Sequence, residues 1–541
     1  MSTVAKKASC QAVYYWFRND LRLHDHPALT AAIQRASQLQ VPLIPVYCFD
    51  PRYFGSEAYS EYGSWKCSPR RAQFVLESVS DLQQRLMNAG SNLVVVTRQT
   101  PEDYFMTCKT THHPKAFLFY QEEVCREETT IAKKVTQHFD RQNVQAIWGS
   151  TLYELSELPY YDAPESMPDT FTPFRNKVEK KCVIPKPLPA PTKLPPFPAD
   201  LTTQPASKLT LADIGYEGML EKLSHDPRGV MEFVGGETAG LARVKDYIWT
   251  KDLLRHYFDT RNGMLGADYS SKFAPWLAHG CISPRFVAQQ CQRYEQERVE
   301  NKSTYWLIFE LLWRDFFKFF AWKHGDTLFQ PGGTIQSTKR WKTFEKSLQA
   351  WKEGKTGYPL VDANMRELNA TGFMSNRGRQ NVCSFLCLEL MQDWRLGADY
   401  FESTLLDYDV YSNWGNWCSG AGMTGGRINR FNIVKQSKDY DQHGEYVKHW
   451  LPELKNVPAN LVHEPWKMTQ FQQTEYNCRL GVDYPHPIVK PFDATPKQGP
   501  DTKGGRANGQ KGKLDTNNPN RSRGQRRDMK SLNKGSYRVE G

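Results

Sequence analysis

Asp407–Trp417, DYDVYSNWGNW, sets two carboxylates two residues apart, an amide four residues after the second, and an indole four after the amide. Read alone, the stretch also suits a solvated loop ending in one or two buried tryptophans. Its surroundings are helical in pattern. Apolar residues recur at three- and four-residue spacing in Leu241–Phe258, Pro284–Arg298, Thr304–Lys323, Lys342–Glu353, Val361–Ala370 and Gln380–Asp393. That period predicts one large all-helical domain over Glu237–Asp493.

The N-terminal part reads differently. Short apolar runs at Ala12–Phe17, Leu43–Phe49, Leu93–Thr97, Ala116–Gln121 and Val144–Trp148 alternate with helix-like stretches at Pro27–Leu39, Pro69–Ala89, Pro101–Lys109 and Glu123–Arg141. Strands alternating with helices predict a Rossmann-like, doubly wound parallel sheet over residues 12–150. The fold class is therefore α/β plus all-α. No GxGxxG follows the first strand, so the dinucleotide fingerprint is missing there.

Residues 151–236 lose regularity, and Pro185–Pro198 holds seven prolines in fourteen residues. This predicts an extended connector between the two domains. From Ala494 to Gly541, twelve Lys/Arg face four acids with almost no large apolar residues. Such a tail cannot offset its chain entropy by burial and is expected to be disordered. Its RSRGQRR segment suits nucleic-acid contact, RNA included, or nuclear import, or mere solubility. The tail carries +8 of the net +11, which leaves the body near neutral, so a nucleic-acid surface there must be a local patch. Fifteen Trp and 26 Tyr suit a large helical core or stacking on planar ligands.

The twelve cysteines show no CxxC pair and no secreted framework. Cys383 and Cys387 sit one helical turn apart with no second ligand pair, a pattern of helix core and not of metal. No apolar run of about 20 residues and no signal-peptide pattern occurs. These features predict an intracellular, soluble monomer of the nucleus or cytoplasm, without a membrane partner. The first strand lies so near the start that organelle import is not expected.

Five segments, in order, carry a resemblance: YSSKFAPWLAHGCISPR (Tyr269–Arg285), ELLWRDFF (Glu310–Phe317), NMRELNATGFMSNRGRQNV (Asn364–Val382), DYDVYSNWGNW itself, and FNIVKQSKDYD (Phe431–Asp441). Together they resemble the flavin-binding half of the cryptochrome/photolyase family. TGFMSNRGRQNV and FNIVKQSKDYD are closest to its DASH-type cryptochromes. WFRNDLRLHDHPAL (Trp16–Leu29) resembles the opening of the family's antenna domain, and the likeness runs from about Val13 to Asp493.

The resemblance implies bound FAD. Ser270, Ser271 and Lys272, ahead of a helix-like APWL, offer hydroxyls, backbone N–H groups and a helix N-terminus to its phosphates; alone, SSK is an ordinary helix cap. Matching positions complete the flavin site with Tyr257, Phe273, Arg314, Asn376, Arg379, Asp407, Asp409 and Asn413. Arg379 is expected to pair with Asp407, leaving its guanidinium over the isoalloxazine. With a neutral Asn413 at the redox nitrogen, that cation favours an anionic reduced flavin. Trp341, Trp394 and Trp417 fall on the family's electron-transfer positions. Glu123 matches the acid that binds a folate antenna, methenyltetrahydrofolate in DASH members, although a glutamate favoured at a helix N-terminus is the alternative.

For a lesion pocket, Glu310 and Trp313 match the contacts to a pyrimidine dimer, with Asn376 and Gln380 lining the cavity and Arg377 and Arg430 beside it for phosphates. Glu310 also suits a structural ion pair with Arg314. One departure stands out: two residues past Trp417, where the family keeps an aromatic wall, this chain has Ser419 in a glycine-rich run. The implied activity is light-driven splitting of cyclobutane pyrimidine dimers, a carbon–carbon lyase reaction, with DNA as partner and single strands favoured because less is spent reaching the base. The competing expectation is a blue-light photoreceptor that signals through the tail.

Overall fold

Five parallel strands form the N-terminal sheet in a computed structural model, which describes residues 11–201, 203–218 and 225–491. The basic tail, with the roles expected of it, lies outside the described residues. The strands are β1 (Val13–Phe17), β2 (Leu43–Phe49), β3 (Val94–Thr97), β4 (Phe117–Gln121) and β5 (Val144–Ile147), in the order β3-β2-β1-β4-β5. Val13 sits opposite both Leu43 and Phe117, so β1 is central. β1, β2 and β4 are buried along their whole length, as strands covered on both faces must be.

The side-chain period of two divides these strands between two cores. Tyr14, Trp16, Ile44, Val46 and Leu118 face one way, with Ile131 and Val135. Val13, Tyr15, Phe17, Leu43 and Phe119 face the other and join the core of the helical domain. The sheet is wound by α1 (Pro27–Leu39), α2 (Pro69–Asn88), α3 (Pro101–Thr107) and α4 (Arg126–Thr136). Pro at the first helical position and Ser68 or Thr100 at the cap start α2 and α3 where the sequence suggested.

The connector is not wholly irregular. Residues Phe171–Lys181 form α5, with Phe171, Phe174 and Val178 buried at three- and four-residue spacing. The flanking prolines hid this helix from a reading by composition. The helical domain opens with α6 (Glu237–Lys245), whose first residue is fully buried. Its carboxylate accepts from the Leu23 N–H at 2.7 Å, meets His24 Nδ1 at 2.6 Å and pairs with Arg85 at 2.9 Å, tying the two domains together.

Beyond α6 the continuous helix expected over Leu241–Phe258 is broken. A wider turn at Asp246–Thr250 and a left-handed Asp252 (φ 55°) separate it from the short α7 (Tyr257–Thr260). Arg243 lies in the last turn of α6. It turns away from the helix to donate to the carbonyls of Ala267, Ser270 and Ser271, drawing the next loop inward.

The next helices are α8 (Ala274–Ala278), α9 (Pro284–Glu297), α10 (Lys302–His324), α11 (Glu345–Glu353), α12 (Pro359–Thr371), α13 (Asn376–Ser384), α14 (Trp394–Thr404) and α15 (Val410–Gly420), followed by four shorter ones between Ile433 and Glu475. α10 is the long central helix. Asn301 and Thr304 close a capping box at its start, and it packs on α7, α9 and α15. α15 approaches it closely because a side chain at Gly415 would collide with Phe317. The stretch Asp407–Trp417 is thus no solvated loop. Asp409 caps α15 by accepting from the Ser412 N–H at 2.9 Å, and the helix carries Asn413 and Trp417 one turn apart. The helix expected over Gln380–Asp393 starts four residues earlier, where Ser375 caps α13, and gives way to a wider turn at Phe385–Glu389.

Candidate functional site

α13 and α15 place the central pair. Arg379 Nη2 donates to both oxygens of Asp407, at 3.0 and 2.8 Å, while its Nε donates to the Met374 carbonyl. Asp407 is nearly buried, whereas the Arg379 side chain keeps 27 % of its surface open. One turn into α15, buried Asn413 donates its amide N–H to the Ala398 carbonyl at 2.9 Å, which leaves its Oδ1 to accept from another group.

The loop before α8 supplies cations and hydroxyls. Lys272 sits in the left-handed region at φ 60° with 3 % exposure. Its ammonium donates to Ser270 Oγ at 2.9 Å and rests 3.0 Å from the centre of the Tyr269 ring. Burial, together with the nearby Arg243, pulls it well below the usual lysine range. Among the described residues no carboxylate lies within ion-pair distance of it. A buried ammonium held only by a hydroxyl and a ring face lacks an anion, and the pyrophosphate of a dinucleotide supplies one. Ser271 and Phe273 are buried beside it, Phe273 edge-on to Tyr247. The residues present therefore fit FAD.

Glu367 on α12 lies close to the same cations. It is fully buried, accepts from the Tyr446 hydroxyl at 2.6 Å, and leaves its second oxygen without a partner. Burial pushes its carboxyl up to about 8, against the lowering effects of Tyr446, Lys272 and Arg379. Nothing in the sequence singled out this residue.

Arg314 and Asp409 do not join Arg379 and Asp407. They line a narrow cleft between the domains with Asn19, Gln121, Glu123 and Tyr411. Asn19 and Gln121 lie at the carboxyl ends of β1 and β4, where the strand order reverses and open α/β sheets form their ligand crevice. Arg314 donates to the Ser150 carbonyl and keeps a buried, unpaired Nε. Asp409 is raised by burial, against the pull of Arg314. Glu123 pairs with the fully buried ammonium of Lys318 at 3.0 Å and accepts from Gln121 at 3.2 Å. It precedes α4, which starts at Arg126, so the helix-terminus explanation of this glutamate is withdrawn.

Glu310 and Trp313 lie one turn apart on α10. The Glu310 side chain is one-third exposed, accepts from Trp306 Nε1 at 2.9 Å, and has Arg261 at 3.6 Å. Its ionic neighbour is thus Arg261, not Arg314 as the sequence suggested. Burial raises its carboxyl, opposed by Arg261 and Trp306; it lies close enough to buried Tyr257 to help raise that phenol in turn. One face of Trp313 is taken by Phe171 of α5, stacked at 3.7 Å and 8°. Ser419 is exposed in the last turn of α15 and forms no wall.

Asn376 and Gln380 are exposed on α13. Arg377 donates to Gln380 at 2.9 Å and to Asn262 at 3.1 Å, with its plane 4.4 Å from the Tyr440 ring. Arg430 is engaged by both oxygens of Glu389, at 2.8 and 2.9 Å, so a phosphate would have to displace that carboxylate.

Trp417 presses on Gly397, where any side chain would come within 2.3 Å of its ring, and Trp394 is one turn away on α14. Trp394 and Trp341 donate to the same carbonyl, that of Pro331, at 3.3 and 2.9 Å. Lys339 holds its ammonium 3.6 Å from the centre of the Trp341 ring. Cys383 and Cys387 are buried in the core, and among the described residues no group of His, Cys, Asp and Glu could hold a metal.

Residues 13–193 match the family description "DNA photolyase", and residues 306–498 match "FAD binding domain of DNA photolyase". The chain is 49 % identical over 490 residues to a cryptochrome DASH of Gloeobacter violaceus, covering 90 % of this chain and 94 % of that one. It is 44 % identical to a cryptochrome DASH of Xenopus laevis, covering 87 % and 88 %. Among solved structures, a Synechocystis cryptochrome superposes with a TM-score of 0.81 at 46 % identity, over 90 % of this chain and 97 % of that one. A class III photolyase of Agrobacterium tumefaciens gives 0.72 at 26 % identity, over 90 % and 96 %.

Two outcomes follow from the geometry. Glu367 holds its proton up to about 8 when folded but releases it in the ordinary carboxyl range when unfolded. The folded state then binds the extra proton between those values, so stability of the flavin-free protein falls as pH rises through that window. Thermal melts from pH 5 to 8.5 will show a shallower decline in Glu367→Gln; equal slopes would refute the assignment. Buried Glu128 and Asp315, both pushed up to about 7, keep part of the slope in the variant. Gly397→Ala drives a methyl group into Trp417 and will cost about 1–3 kcal/mol by overpacking, read as a denaturation midpoint, with slower flavin photoreduction.

Proposed function

The chain belongs to the DASH-type cryptochromes of the photolyase/cryptochrome family, and from that premise we propose a light-dependent DNA repair flavoprotein. It splits cyclobutane pyrimidine dimers and prefers them in single-stranded DNA. Its helical domain is an FAD-binding domain. Bound FAD, reduced and excited by blue or near-UV light, supplies an electron to the dimer and recovers it once the ring has opened.

The observation that carries the reading is Glu310. A carboxyl that is raised by burial, yet open over a third of its side chain, can hold a proton and donate it as a hydrogen bond to a pyrimidine carbonyl. Arg261 and the Trp306 indole fix its direction. Arg379 presents a guanidinium held by Asp407, a cation fixed before any charge arrives. The free Oδ1 of Asn413 suits an N–H of the reduced ring without adding negative charge. Lys272 and Ser270 would hold the pyrophosphate.

We infer methenyltetrahydrofolate as the antenna, in the cleft where Glu123 meets the carboxyl ends of β1 and β4. Glu123 would accept from the pterin while Lys318 balances its charge.

A second reading, a blue-light photoreceptor with little repair, is favoured by the thin aromatic lining. Ser419 offers no ring, and Phe171 covers one face of Trp313. Stacking is worth ~1–3 kcal/mol per base, so a flipped dimer is held less tightly by this much.

Photorepair decides between the two. The photoreduced protein is given a defined thymine dimer in single-stranded and duplex DNA, with a dark control. We expect light-dependent repair, faster on the single strand, and a loss on the order of a hundredfold in Glu310→Ala at unchanged flavin content. No repair of either substrate with normal photoreduction would favour signalling. Parallel loss of flavin and repair would make Glu310 a structural residue.

A further inference from the structure

An open pocket of about 360 Å³ lies on the seam between the two domains, away from the flavin residues and the interdomain cleft. It takes Tyr59 and Trp65 from the N-terminal domain and Lys352, Asn369, Tyr400 and Ser403 from the helical domain. Tyr59 and Trp65 sit opposite each other across an antiparallel bridge, so a tight hairpin sets their side chains next to each other on one face. The hairpin is closed from within. Ser60 donates its N–H to the Ser64 carbonyl at 2.8 Å, and its Oγ accepts from the Tyr62 N–H at 3.2 Å. It is also tied to α14. Asp399 accepts from the Ser60 and Ser64 hydroxyls, Lys66 pairs with Glu402 at 2.6 Å, and the Ser68 N–H donates to the Ser403 carbonyl at 2.9 Å. On this fixed hairpin Tyr59 keeps 55 % of its surface open to water.

Two polar groups of the pocket are left without partners. Trp65 Nε1 is buried and makes no hydrogen bond. A buried donor of this kind is costly until an acceptor reaches it. Lys352 holds its ammonium 5.3 Å from the centre of the Tyr400 ring, and among the described residues it pairs with no carboxylate. The adjacent Glu353 is engaged elsewhere, by Gln349 Nε2 at 2.7 Å and Lys355 at 2.8 Å. Asn369 fixes the far wall: it accepts from the Tyr400 hydroxyl at 2.6 Å and donates to the Lys352 carbonyl at 2.7 Å.

We propose that this pocket is a nucleotide-binding site. The base stacks on the exposed hairpin rings, a carbonyl or ring nitrogen of the base accepts from Trp65 Nε1, and the Lys352 ammonium pairs with the phosphate. Aromatic faces beside a cation hold nucleotides whatever the base, since every base has a π-face. The volume lies in the range of small-ligand sites, which form preferentially at domain seams. A free nucleotide and one nucleotide of a single strand offer the same three groups. The site needs neither Glu310 nor dimer repair, so it stands or falls apart from the repair reading.

The test uses the full chain loaded with FAD, which closes the cofactor site to the probes. Adenosine monophosphate and a short oligothymidylate without dimers are titrated by calorimetry, with inorganic phosphate and benzoate as controls. Adenosine monophosphate is expected to bind once per chain. Its affinity should fall about fivefold in Trp65→Phe, which keeps a ring and removes the donor. It should fall about tenfold or more in Tyr59→Ala and in Lys352→Ala. Unchanged melting temperature and flavin content show that the variants are folded. Displacement of the mononucleotide by oligothymidylate extends the site to strands, and its absence restricts the site to free nucleotides; both results sustain the proposal. Failure of both probes to bind would overturn it. So would binding that all three folded variants leave unchanged, or benzoate binding as tight as that of the nucleotide.

Discussion

The ion pair between Arg379 and Asp407 is the constraint around which the helical domain is arranged. Burying the Asp407 charge costs several kcal/mol unless geometry and extra hydrogen bonds offset it. Here the guanidinium meets both carboxylate oxygens and also the Met374 carbonyl. The pair joins α13 to the segment that starts α15. It therefore fixes where Asn413 and Trp417 emerge, and through Gly397 and Gly415 how closely α15 packs on α14 and α10. A pair of this kind is poor value for stability alone. What it provides is a cation fixed in place with its side chain partly open.

The same logic of charges placed in advance joins the two domains. Glu237 ties the start of α6 to Leu23, His24 and Arg85. Asp315 of α10 accepts from the Leu152 and Tyr153 N–H groups, pinning the start of the connector. Lys318, one turn on, reaches Glu123 and Ser150. One face of α10 thus carries the interdomain contacts, and Glu310 and Trp313 lie on the same helix. The cleft at the strand switch point is lined from both domains.

Much of this was legible in the sequence, for identifiable reasons. The strands were clear because β1, β2 and β4 are buried on both faces and read as unbroken apolar runs. Pairing of Arg379 with Asp407 followed from motif positions. What stayed hidden depended on contacts between distant segments. α5 was masked by neighbouring prolines, although Phe171, Phe174 and Val178 keep a helical period. The break after α6 falls close to Arg243, which reaches a loop some 25 residues on, a contact no local pattern carries. Arg314 and Asp409 were grouped with the flavin residues, yet the fold turns them toward Glu123. Neither Arg261 beside Glu310 nor the buried Glu367 belongs to a recognisable spacing.

The most direct test of the account is FAD affinity in Asp407→Asn, which keeps the shape of the pair and removes its negative charge. Apoprotein is titrated with FAD by flavin fluorescence, with circular dichroism as a check on the fold. The account predicts a folded protein whose affinity for FAD falls at least tenfold, about 1.4 kcal/mol or more, because Arg379 is no longer held in place. Unchanged affinity in a folded variant would contradict it and reduce the pair to a structural tie.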